Sequence, residues 1–154
     1  MFSVTTVPME DFSLRWRFTD PKYFMLPPVE LEQIEPLDAL SARGLFELRS
    51  RWCPMPSLHI AWPHVASTAI KGYGADEVAR VREWLFRRNV TPKQQVYASW
   101  SSHEAAMTRW EIVATYWNAF WYPSSDDLFV FDASLTWALF LSHEEQAFFG
   151  SNSA

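Results

Sequence analysis

The sequence predicts an α+β fold: a single domain over residues 1–154, with a mostly antiparallel sheet, packed helices and a C-terminal β-hairpin. Three observations lead there. Segments of helical and strand period follow one another in mixed order, which suits helices laid on an antiparallel sheet. "DLFVFD" and "TWALFLS" flank a short Ala-Ser-Leu turn, the pattern of a hairpin. Apolar residues make up 49% of the 154 and aromatic residues 17%, with nine Trp and twelve Phe, so rings can supply much of a core and disorder is excluded for the bulk of the chain.

Taken in order, "SLRWRF" (13–18) alternates Leu14, Trp16 and Phe18 with Arg15 and Arg17, the period of a half-buried strand. Three prolines divide "TDPKYFMLPPVE" into turns. A short helix starts at Pro28 and a longer one at Pro36 or Leu37, because proline is tolerated in a first helical turn. Leu37, Leu40, Leu48 and Trp52 form the stripe of the longer helix, and Cys53-Pro-Met-Pro56 ends it. "SLHIAW" (57–62) has strand character and stops at Pro63. A helix over Asp76–Arg88 places Val78, Val81 and Leu85 on one face with Trp84 beside them. "QQVYASW" (94–100) is a further strand. Ser101 and Glu104 form a capping box, expected to open a helix carrying Ala106, Trp110, Val113, Trp117 and Phe120 until Pro123 stops it. After the hairpin, a last apolar run over Ala147–Phe149 ends at Gly150, and "SNSA" frays.

Charge is unevenly spread. Thirteen Lys and Arg face eighteen Asp and Glu for a net charge of -5, and nothing after Arg109 is Lys or Arg. That last stretch holds Glu111, Asp126, Asp127, Asp132, Glu144 and Glu145. A face built from it repels nucleic acid and attracts a basic partner, or else is a solvated face kept for solubility. Arg80, Arg82, Arg87, Arg88 and Lys93, near Trp84 and Phe86, could take phosphates, but the net acidity weighs against a nucleic-acid partner. A lone cysteine allows no intramolecular disulfide and no cysteine-based zinc spacing, which points to a reducing compartment. Without a basic-then-apolar leader or a run of ~18 apolar residues, the expected location is the cytoplasm, away from membranes.

Catalytic motifs are sparse. "GYGADE" has Glu77 where a dinucleotide fingerprint needs its third glycine, and neither a phosphate loop nor a nucleophile elbow occurs. His103-Glu104 and His143-Glu144 each begin like a zinc-protease helix, but Met107 and Ala147 stand where the second histidine belongs. Asp126, Asp127, His143 and Glu144 could still assemble in space as a hydrolytic or divalent-metal site, hard oxygens with one imidazole. Against that, paired aspartates after Pro-Ser-Ser commonly form turns. His59, His64 and Cys53 are expected as core or surface residues. The sequence therefore predicts no catalytic residue, metal ligand or cofactor. Trp121 and Tyr122, just off the helical stripe and beside the acidic turn, are expected as interface anchors.

"FWYPSSDDLFVFDASLTWALFLSHEEQAFFG" resembles the ends of small bacterial immunity-type proteins encoded beside polymorphic or contact-dependent toxins, in which an acidic turn, a hairpin with Trp-Ala-Leu and a terminal His-Glu-Glu to Phe-Gly recur. The likeness covers about residues 94–150. It implies a cofactor-free, non-enzymatic cytoplasmic protein that neutralises a cognate toxin by covering its active site or substrate groove. The expected binding set is Trp121, Tyr122, Asp126, Asp127, His143, Glu144 and Glu145. Two alternatives stand beside it: a small hydrolase or metal-dependent enzyme using Asp126, Asp127, His143 and Glu144, and a homodimer of regulatory role that hides its excess Trp.

Overall fold

The computed structural model describes residues 3–52 and 62–153. Cys53, His59 and the strand expected over 57–62, apart from Trp62, lie outside the described residues. The strands are β1 (Phe24–Met25), β2 (Glu35–Pro36), β3 (His64–Ala69), β4 (Gln95–Ser99), β5 (Ala105–Arg109), β6 (Leu128–Phe131), β7 (Trp137–Ser142) and β8 (Gln146–Ser151). The helices are α1 (Trp16–Thr19), α2 (Pro28–Leu31), α3 (Ala39–Trp52), α4 (Ala75–Phe86), α5 (Trp110–Thr115) and α6 (Trp117–Phe120). Among the described residues, seven strands form one antiparallel sheet in the order β2-β5-β4-β6-β7-β8-β3. The fold is α+β, and the expected hairpin is β6–β7, extended by β8 into a meander.

Both faces of this sheet are covered, which explains why "LFVF" and "WALFL" are apolar without interruption and why β6 and β7 are buried at every position. Along β6 and β7, Leu128, Val130, Trp137, Leu139 and Leu141 point to one layer, with α4, α5, α6 and the N-terminal segment. Phe129, Phe131, Ala138 and Phe140 point to the other, with Ala42 and Leu45 of α3 and with Trp62. Burial of each such large side chain contributes about 1.5–3 kcal/mol. Gly150 is required where β8 passes Trp62: a Cβ there would lie 2.5 Å from Trp62 Cγ.

Three elements differ from expectation. Residues 13–15 form a turn leading into α1, not a strand, because Leu14, Arg17 and Phe18, spaced as on a helix, all go inside while Arg15 stays out. The Ser101/Glu104 pair closes the β4–β5 turn instead of capping a helix. Trp100 N–H and Ser101 N–H both donate to the Glu104 carbonyl, and the helix begins only at Trp110. The small side chains of Ala105 and Ala106, both fully buried, let the helical layers approach both faces of β5, a tertiary demand that overrides helix propensity. In α3, Asp38 accepts the Ser41 N–H as N-cap, so the helix starts at Ala39, two residues later than Leu37. Its buried face is Ala42, Leu45 and Arg49, whereas Leu40, expected on the stripe, is 80% exposed.

Candidate functional site

The Pro123 turn is drawn tight by its own aspartate. Asp126 N–H donates to the Tyr122 carbonyl, while the Asp126 carboxylate accepts from Tyr122 N–H at 2.8 Å and from Ser125 Oγ at 3.2 Å. The same carboxylate meets Arg17 end-on: Nη1 pairs with Oδ2 and Nη2 donates to Oδ1 at 3.1 Å, with both side chains buried. Arg17 also donates to the Phe120 carbonyl and lies over the rings of Trp16 and Tyr122. Trp121, 1% exposed, donates its indole N–H to the Asp126 carbonyl. Trp121 and Asp126, both expected to face a partner, are therefore core residues. The reason is the buried Arg17 cation, which the carboxylate neutralises and the surrounding rings enclose.

Asp127 turns the other way. Its Oδ1 accepts from His143 N–H at 2.8 Å and contacts His143 Nδ1 at 2.8 Å, so the two residues singled out in the sequence do meet, at the β7–β8 turn. The imidazole is more than half exposed. The Asp127 contact raises its pKa, first through the hydrogen bond and then through charge, with Glu144 adding a little. An aspartate on Nδ1 orients an imidazole so that Nε2 can exchange protons with solvent or substrate. Asp126 is withdrawn from this pair, and among the described residues no group of three His, Cys, Asp or Glu side chains is placed to hold a metal ion. Glu144 and Glu145 are exposed on the same turn. Glu145 has φ 61, a left-handed conformation that costs a residue with a Cβ about 1–2 kcal/mol. Its carboxylate accepts from the Tyr73 hydroxyl at 3.0 Å. Burial and that hydrogen bond push the Tyr73 phenol up to about 12, so it remains a neutral donor.

Beside this turn lies a surface of which the sequence singles out only Tyr122. Tyr73 touches Trp121; Tyr122, next in the chain, meets Trp16 edge-on at 5.4 Å; Trp16 meets Tyr23 at 4.7 Å. Tyr23, Phe24 and Met25 are exposed, Met25 by 58%, and Phe24 rests on Tyr116. Tyr122 itself is half-buried. The available signal was "YFM" in a proline-bounded loop: three consecutive large apolar residues in a short loop cannot all turn inward. No family model, curated protein or solved structure matches this chain.

Proposed function

We propose that this protein is a cytoplasmic binding protein that neutralises a cognate bacterial toxin, docking through the aromatic face formed by Trp16, Tyr23, Phe24, Met25, Tyr73 and Tyr122. The observation that carries the binding role is two sets of ring contacts, Tyr73 with Trp121 and Tyr122 with Trp16 and Tyr23, joined through the Trp121–Tyr122 peptide, with Tyr23 and Tyr73 exposed and Glu145 bonded to Tyr73. Rings supply desolvated contact area and the carboxylates steer a basic partner. The toxin as partner comes from the resemblance of the C-terminal third. No helix among the described residues is long and apolar enough to cross a membrane.

The test is binding of the purified protein to toxin domains encoded by neighbouring reading frames. Replacing Tyr23 and Met25 together by Ala should weaken the complex by about 30-fold, some 2 kcal/mol, and leave stability within about 0.5 kcal/mol. Failure of every neighbouring toxin domain to bind, or equal binding by the variant, removes the proposal. Glu145→Gly separates the roles further: it relieves the left-handed strain, so stability should hold or rise by up to about 1 kcal/mol while association slows.

A second role rests on the Asp127–His143 pair, which supplies an oriented base for hydrolysis. Turnover of an activated ester that disappears in His143→Ala would favour it. Equal turnover by the variant would dismiss it.

A further inference from the structure

At the far end of the sheet from the acidic turn, a cleft of about 700 Å³ opens between the C-terminal end of α4 and strands β3, β8 and β7. Trp137 and Phe149, stacked at 5.3 Å and 18°, form its apolar wall. Arg87, Arg88 and Asn89 form the opposite rim, with Gln94 and Thr136 adding polar groups. Asn89 has φ 64, the left-handed residue that turns the chain out of α4 and brings the loop back over the strands.

The charged groups of this cleft are partnered separately and not with one another. Its carboxylate, Asp132, is buried and already accepts from Trp137 Nε1 at 2.9 Å and from Ser134 N–H at 2.9 Å. It is held by neutral donors and is not among the partners of either arginine. Arg87 is tied by one nitrogen to Glu83 at 2.6 Å on the solvent side. Arg88 lies over the Trp84 ring at 4.3 Å and donates Nε to the Trp84 carbonyl at 3.0 Å. Its Nη1 and Nη2 make no hydrogen bond among the described residues, so the flat end of the guanidinium keeps its donors for another molecule. Burial, then the neighbouring Arg87 charge, disfavours the protonated Arg88, a cost that a bound anion would offset. A concave site with an apolar wall and a few convergent polar groups is the usual form of a small-molecule pocket, and a guanidinium fork matches the planar geometry of an oxyanion.

We propose that this cleft binds a small organic anion, its carboxylate or phosphate held by Arg88 with Arg87 beside it and its apolar part against Trp137 and Phe149. The site is separate from the aromatic face and does not depend on a toxin partner. A carboxylate and a phosphate would use the same guanidinium donors, so the probes must distinguish them.

The experiment is calorimetric and NMR titration of the full-length protein with benzoate, phenyl phosphate and inorganic phosphate. The expected result is saturable binding of at least one aromatic anion, more tightly than inorganic phosphate, with the Arg88 Nε resonance shifted. Whichever of benzoate and phenyl phosphate binds more tightly identifies the anionic group. Arg88→Gln should weaken binding about tenfold or more, as the loss of a charge-assisted hydrogen bond implies, and Arg88→Lys should restore only part of it. Arg43→Gln, on α3 away from the cleft, should bind as the parent does. The proposal is overturned if no probe binds at millimolar concentration, or if Arg88→Gln, folded by circular dichroism, binds all of them unchanged.

Discussion

Two buried aspartates bracket strand β6. Asp126 precedes it at the acidic end, and Asp132 follows it at the cleft end. Asp126 is neutralised by a guanidinium 109 residues away in sequence, so its ion pair ties the N-terminal segment to the C-terminal meander. Asp132 is satisfied within five residues by an indole and a backbone amide, both neutral. Where a carboxylate meets a buried cation, rings close over the pair and only the side chains around it stay exposed. Where a carboxylate is satisfied by neutral donors, the nearby arginines find other partners, Arg87 at Glu83 and Arg88 through Nε at the Trp84 carbonyl. The two ends are thus chemically opposite: an aromatic face with acidic borders, and a cleft with a basic rim.

Asparagine at each position tests this contrast most severely. Asp126→Asn strands the buried Arg17 charge and should cost about 3–5 kcal/mol in urea unfolding. Asp132→Asn keeps an oxygen for Trp137 and removes no countercharge but sets its NH2 against the Ser134 N–H, so it should cost about 1–3 kcal/mol. Equal losses would erase the distinction. Arg17→Met combined with Asp126→Leu should recover much of the larger loss, because no charge is then left buried.

That distinction shows what the sequence could and could not carry. α4, β4 and the β6–β7 pair were legible because each keeps one clear period or apolar run against its neighbours. The segment from 13 to 18 was not, because Arg17 reads as a surface residue until its partner at Asp126 is known. The same ambiguity hid Trp121 and Asp126, whose type suits an interface and whose place is the core. Ser101 and Glu104 satisfy a helix start and a hairpin turn equally well, and the buried Ala105 and Ala106 decide between them only through layers distant in sequence. Asp127 and His143 carried enough chemistry to be nominated, but only the pairing of β6 with β7 brings them together. The cleft was least visible, since Arg87 and Arg88 follow α4 whereas Trp137 opens β7.

Next in size is a glycine contrast. Gly150→Ala drives a methyl group into Trp62 on the sheet face opposite the cleft, and should cost about 1–3 kcal/mol by overpacking. Gly44→Ala, in α3 with nothing within 4 Å of the added carbon, should instead stabilise by about 0.5–1 kcal/mol through helix propensity. Thermal unfolding measures both. In NMR spectra the Gly150→Ala shifts should concentrate around β3, β8 and the cleft, with the Asp127–His143 turn unmoved. Comparable shifts at both ends would show that the sheet transmits strain between them.

The smallest effect is the pH response of the acidic turn. His143 has a pKa raised in the folded protein, first by its hydrogen bond to Asp127 and then by that residue's charge. The contact therefore adds stability that is fully present below the unfolded histidine pKa of about 6.5, and this is lost as pH rises through the folded value. Asp127→Asn should bring the His143 titration, followed by its imidazole proton shifts, down towards that unfolded value and remove this pH dependence. Because the imidazole is exposed, the unfolding midpoint should hardly move. An unchanged titration in Asp127→Asn would mean that the 2.8 Å contact does not persist in solution. The oriented base at the acidic end would then be lost, and its contrast with the basic cleft would rest on Arg17 and Asp126 alone.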